Sequence, residues 1–244
     1  MRPTPVVVLG LVLSASAGAG DEPPRGFAPV QHQTSLTRQV TLRYLLHVPA
    51  GYGKDNRRWP LLLYLHGGQG RGREFAKMAW YPIIQMVSEG ASLPLIVLAP
   101  QCPEGETWID PDLVVAMLDE VLASYRVDPD RVYLVGYSMG GEGAWLLAYR
   151  HPELFAAVAP MSGFCNPLWA TRLARLPVWA FHGAKDDLIS VTQTEVMVAE
   201  LRKQRGEVKV SIDPERGHSP PSRAEHEALI AWLLEHRRAA KPQR

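Results

Sequence analysis

The fold is decided by "VYLVGYSMGGEGAW", residues 132–145. Val132 to Val135 is a continuous apolar run, the pattern of a strand buried on both faces. From Gly141 onward the pattern becomes helical. Between them stands one serine, Ser138, with glycine two residues before it (Gly136) and two after it (Gly140). This spacing predicts a strand, a sharp turn and a helix, with the serine hydroxyl exposed at the tip of the turn. Side chains at 136 and 140 would collide across such a turn, so both positions are glycine. The next amide, that of Met139, then lies at a helix N-terminus, where free N–H groups favour negative charge.

Working outward, the same alternation repeats. "LLLYL" (61–65), "LPLIVLAP" (93–100), "FAAVAPMSG" (155–163), "LPVWAFHG" (176–183) and "EVKVSID" (207–213) are short apolar runs between glycines and prolines. They read as parallel strands. "VTLRYLLHV" (40–48) alternates and reads as a half-buried strand, with Val40, Leu42, Tyr44, Leu46 and Val48 on one face. Helical patterns separate the strands: 73–90, 111–126, 141–152, 190–206 with Ser190 as its cap, and 221–238. The expectation is one α/β domain over residues 20–240, a three-layer α/β/α sandwich around a mostly parallel sheet. No insertion is long enough to form a large lid. In such sheets sites form beyond the carboxyl ends of the strands.

A serine needs a base to become a nucleophile, and the base needs an acid to orient it. On a strand–serine–helix turn of this kind the chain order is serine, acid, histidine. His218, in the loop "ERGHSPP" after the last strand run, is the candidate base; His226 and His236 read as exposed residues of the last helix. The acid should follow the run 176–183, where "AFHGAKDDLIS" offers both Asp186 and Asp187, and spacing does not choose between them. His182 and Gly183 read as shaping that turn. For an oxyanion, the Met139 amide is one candidate donor, and the glycine-rich loop "HGGQGRG" (66–72) offers Gly68 first and Gln69 next. Gln69, Trp108 and Tyr137 are candidate lining residues, with Trp108 read equally well as a loop anchor packed on the core. The lysine and Ser/Thr of a phosphate-binding loop are missing from 66–72, and no H-x-x-x-H or C-x-x-C spacing lies near the site, so no metal or other cofactor is expected.

The whole chain has 244 residues, 46% of them hydrophobic, and a formal net charge of +1. That supports one sizeable core and excludes the strong basic charge of a nucleic-acid binder. Residues 1–19 differ from the rest: Arg2, an apolar stretch from Val6 to Leu13, then small residues in the pattern of a cleavage site. They read as a secretory signal peptide, too short to span a bilayer, and imply a secreted or periplasmic protein. Cys102 and Cys165 could pair in that setting but read slightly better as separate buried residues.

"WPLLLYLHGGQGRG", "APQCPEG", the run from Asp128 to Gly163, "FHGAKDDLIS" and "GHS" resemble, in that order, the α/β-hydrolase superfamily. More narrowly they resemble compact serine esterases akin to polyhydroxybutyrate depolymerases, feruloyl esterases and the phospholipase/carboxylesterase group. The resemblance implies an ester hydrolase working through Ser138, His218 and an acid, with an ester, small or extended, as substrate; with residues 1–19 read as a signal peptide, it is expected to be secreted or periplasmic. It also chooses Asp186, the fifth residue of an H-G-x-x-D stretch, over Asp187. Ser190 departs from the pattern, since relatives often carry proline there. A peptidase of the same fold and a non-catalytic binding protein on a hydrolase scaffold are the competing expectations; the second is disfavoured by the presence of serine, aspartate and histidine at the three expected strand ends.

Overall fold

Strand β2 (Trp59–Leu65) is buried at every residue, and so is β3 (Ile96–Gln101). Along β2, Leu61, Leu63 and Leu65 enter one apolar layer while Leu62 and Tyr64 enter the other. This two-sided burial, with each buried leucine contributing about 2 kcal/mol, is why the strand reads as an unbroken apolar run. The computed structural model describes residues 41–238, which belong to one compact unit. The expected signal peptide, Val40 and the C-terminal tail lie outside the described residues.

The other strands are β1 (Arg43–His47), β4 (Val127–Tyr137), β5 (Ala157–Met161), β6 (Val178–Gly183) and β7 (Val208–Asp213). They form one sheet in the order β1-β3-β2-β4-β5-β6-β7. Every pair is parallel except β1 with β3, where Leu45 stands opposite Ala99. β4 carries a register irregularity where it meets the start of β2. The helices are α1 (Pro82–Ser88), α2 (Pro111–Ser124), α3 (Met139–Arg150), the short α4 (Ala170–Leu173), α5 (Thr192–Lys203) and α6 (Arg223–Leu234). Leu118 of α2, Leu147 of α3 and Leu201 of α5 cover one face with Leu61 and Leu63; Ile83 of α1 and Leu229 of α6 cover the other with Leu62 and Tyr64. This is the expected three-layer sandwich.

The helix expected over 73–90 is broken. Residues Phe75–Met78 make a 3-10 turn, and α1 begins only at Pro82. Proline lacks the N–H that would continue a helix and pushes the residue before it into an extended conformation, here Tyr81 with ψ 131°. Ser190 does not occupy the cap position of α5, which falls on Val191; it lies one residue earlier, where its Oγ accepts from the Thr192 amide at 3.3 Å. His226 is wholly buried on α6 rather than exposed, and His236 is half-buried, with Nε2 at 3.0 Å from Glu207. The buried face of α6 thus includes His226 beside Leu229, Ile230 and Leu233.

The carboxyl ends of β2, β4, β6 and β7 all face one edge of the sheet, so residues 66–70, 138, 186 and 218 are delivered to the same place by parallel strands.

Candidate active site

Ser138 sits between β4 and α3 with φ 56° and ψ −118°, a conformation that L-residues rarely adopt. Its backbone is pinned on both sides: its N–H donates to Met161 O at 2.8 Å, and its carbonyl accepts from the Glu142 amide at 3.0 Å. The first turn of α3 packs directly on the ends of β4 and β2. A Cβ on Gly136 would lie 2.0 Å from Gly140 O, and one on Gly140 would lie 1.9 Å from Leu65 O. Neither contact can be relieved by a side-chain movement, so the turn requires glycine at both positions.

The structure brings Ser138, His218 and Asp186 into one chain of contacts. His218 Nε2 is 2.8 Å from Ser138 Oγ, and His218 Nδ1 is 2.8 Å from Asp186 Oδ2. The Asp186 side chain is fully buried, whereas Asp187 is exposed. Asp186 Oδ1 accepts from the Leu188 amide at 3.0 Å and the Ile189 amide at 2.9 Å. Burial alone would raise the Asp186 carboxyl. The Ile189 amide, the His218 ring and the Leu188 amide outweigh it and hold the group below the usual carboxylate range.

His182 is part of this arrangement, beyond the turn-shaping role read from the sequence. It is buried, with Nε2 2.8 Å from Ile189 O and 3.3 Å from Asp186 Oδ2, and Nδ1 2.7 Å from Thr194 Oγ1. Two oxygen acceptors face Nε2, so that nitrogen carries a proton and the ring supports the acid loop from beneath.

A cleft of about 460 Å³ opens above Ser138, lined among others by Gly68, Gln69, Trp80, Tyr137, Leu188 and Pro220. Gln69 and Tyr137 thus fall where expected. Trp108 does not line this cleft. It is 4% exposed, packs in the core, and its Nε1–H donates to His66 O at 2.9 Å, so it anchors the loop after β2. Trp80 and Leu188 were not anticipated. Trp80 lies in the segment read as helix, stacked on Tyr81 with ring centroids 4.1 Å apart; its only advance signal was the aromatic pair before Pro82. The Met139 amide opens α3 and the Gly68 amide opens a 3-10 turn over Gly68–Gly70. Amides in such positions have no partner inside their own helix.

Among the described residues no group of three His, Cys, Asp or Glu side chains is placed to hold a metal ion. Cys102 and Cys165 are separate thiols, and burial pushes them up to about 11 and about 12.

A mostly parallel seven-stranded sheet, covered on both faces, with a serine on a glycine-bounded turn after β4, is the α/β-hydrolase fold. A family model named Esterase, described as one of candidate esterases, matches residues 34–213, and the chain belongs to that family. The chain is 32% identical over 183 residues to NocK of Nocardia uniformis subsp. tsuyamanensis, named a candidate esterase, covering 66% of this chain and 51% of that one. It is 27% identical over 188 residues to feruloyl esterase B of Neurospora crassa, covering 71% of this chain and 59% of the relative. It therefore spans little more than half the length of these relatives. Among solved structures, a thermostable esterase superposes with a TM-score of 0.67 at 31% identity, over 82% of this chain and 60% of that one.

Proposed function

We propose that the protein hydrolyses carboxylic esters through an acyl-enzyme formed on Ser138. The observation that carries this reading is the unbroken relay from Ser138 Oγ through His218 to Asp186, each link 2.8 Å long, at the floor of an open cleft. His218 Nε2 accepts the Ser138 proton as Oγ attacks the ester carbonyl. Asp186 holds the Nδ1 proton of His218 and stabilises the imidazolium. The tetrahedral oxyanion is received by the Met139 and Gly68 amides. The imidazolium then protonates the departing alcohol, the ester C–O bond breaks, and Ser138 is left acylated. Water, deprotonated by His218, attacks the acyl carbon; the bond to Ser138 Oγ then breaks, the imidazolium returns its proton to Oγ, and the acid leaves. Every proton moved is held by a group of the chain or by water.

Family membership and the names of the relatives support an ester as substrate. We also infer export, on the basic, apolar and small-residue order of residues 1–19; mapping the N-terminus of the protein recovered from its producing cells tests it, and an uncleaved Met1 in the cytoplasm overturns it.

The decisive experiment treats the protein and Ser138→Ala with a fluorophosphonate probe and with p-nitrophenyl esters of increasing chain length. The expected result is labelling and turnover in the parent, with labelling lost and kcat lowered at least about 10⁴-fold in the variant. A parent protein that neither labels nor turns over any ester overturns the reading.

A further inference from the structure

The peptide between Gly67 and Gly68 carries two groups with opposite consequences for an oxyanion: the Gly67 carbonyl oxygen and the Gly68 N–H. In a planar trans peptide they point in opposite directions, and the described residues contain no cis peptide. Whichever way this one plane is turned, either the donor or an acceptor faces the cleft. Flanked by glycine on both sides, it is the kind of peptide that rotates most easily. A Cβ at 67 would sit tightly against Tyr137, the Tyr81 hydroxyl and Ser138 Cβ, at 3.2–3.3 Å.

The orientation is fixed from the oxygen side. Gly67 O accepts from the Tyr81 hydroxyl at 2.9 Å, from His66 Nδ1–H at 2.6 Å, and from the Gly70 amide at 3.0 Å. The His66 proton can be assigned: Nε2 accepts from the Cys102 amide at 2.9 Å, so the proton is on Nδ1. Burial pushes the His66 ring down to about 4, so this neutral form persists at neutral pH. Tyr81 is itself wholly buried, wedged against Tyr64, His66 and Tyr137 and stacked under Trp80. Its hydroxyl is pushed up to about 12 by the same burial and stays a donor. The Gly70 and Arg71 amides are spent on the Gly67 and Gly68 carbonyls, leaving the Gly68 amide as an end group of the turn.

We propose that Tyr81 and His66 are positioning residues that lock the Gly67–Gly68 peptide, so that the Gly68 N–H is held toward the cleft for the oxyanion. This rests on the serine-esterase reading. Neither side chain touches the reacting atoms in this role; both act through one carbonyl. With a donor removed, the plane samples the orientation in which Gly67 O faces the developing negative charge, and that orientation opposes the reaction.

The test compares an oxygen ester with its thiono counterpart, in which sulfur replaces the carbonyl oxygen and accepts hydrogen bonds poorly. Steady-state kinetics are measured for the parent, Tyr81→Phe, His66→Gln and the double variant. In Tyr81→Phe, kcat for the oxygen ester falls about tenfold with KM nearly unchanged, and the rate ratio of oxygen to thiono ester falls by a similar factor. The double variant loses less than the product of the single losses, because both act on one peptide. The proposal is overturned if Tyr81→Phe keeps the parent kcat, or if it slows both esters equally, as general loosening of the core would. Tyr81→Phe deletes one oxygen and carries the test alone if the His66 variant does not fold. Failure of the parent to hydrolyse any ester overturns the serine-esterase reading itself, and is seen before any variant is made.

Discussion

The dipeptide His-Gly occurs at the end of two strands, as His66–Gly67 just after β2 and His182–Gly183 as the last two residues of β6, and the two turns use it differently. Both imidazoles are buried. His66 has only backbone partners, one carbonyl and one amide, and orients a peptide. His182 meets a hydroxyl, a carbonyl and a carboxylate, and orients a charged side chain. The pair teaches that a buried histidine is defined by what its second nitrogen meets. At His66 an amide forces that nitrogen to accept; at His182 two oxygens force it to donate.

The largest expected effect tests the charged product of the second turn. Asp186→Asn leaves the shape but removes the charge facing His218, and kcat falls by about 10⁴-fold. Asp187→Asn, one residue away and exposed, stays within about threefold of the parent, as expected for a surface change. Equal losses at 186 and 187 would break the assignment of the acid.

The next effect separates the turns by pH. His66 has a folded value of about 4 against an ordinary 6.5. Above 6.5 neither folded nor unfolded chain is protonated there, and nothing is lost. As pH falls from 6.5 toward 4, the unfolded chain binds the proton first, and folding stability drops by up to about 3 kcal/mol. Asp186 acts lower on the scale: its folded value is depressed, so its contribution is complete above the unfolded value of about 3.9 and is lost as pH falls through the folded one. Urea unfolding at a series of pH values should therefore show a loss beginning near 6.5 that is reduced in His66→Gln, the remainder belonging to His226 and His47, which burial also lowers, and that persists in Asp186→Asn.

A smaller effect concerns the support of the acid. Thr194→Val removes the hydroxyl on His182 Nδ1, and kcat/KM should fall about tenfold, about one lost hydrogen bond's worth. An unchanged value would reduce His182 to packing. The smallest effect is a calibration: Ile230→Val, on the buried face of α6, costs about 1 kcal/mol of stability and leaves kcat unaltered.

Much of this was written in local pattern. The strands announce themselves because parallel strands are covered on both faces, and Ser138 announces itself because only glycine fits at 136 and 140. The choice between Asp186 and Asp187 could not be read from spacing. It depends on which carboxylate receives the Leu188 and Ile189 amides, a property of the turn rather than of the residue type. Tyr81 was hidden because its segment looked like one helix, when Pro82 holds Tyr81 in an extended conformation that turns its hydroxyl toward the loop after β2. Trp108 could have lined the cleft or anchored a loop on the core, and His226 read as an exposed helix residue. Their places follow from contacts with elements far away in the chain, which periodicity does not record.

The backbone angles of Ser138 have a further consequence. A residue with a side chain is being held at φ 56°, where glycine would rest at ease. Ser138→Gly should therefore melt at a higher temperature than the parent while losing all turnover. Selection for durability and selection for chemistry pull in opposite directions at this one position, so a lineage relieved of the need to cleave esters would be expected to drift toward glycine here before its sheet shows any change.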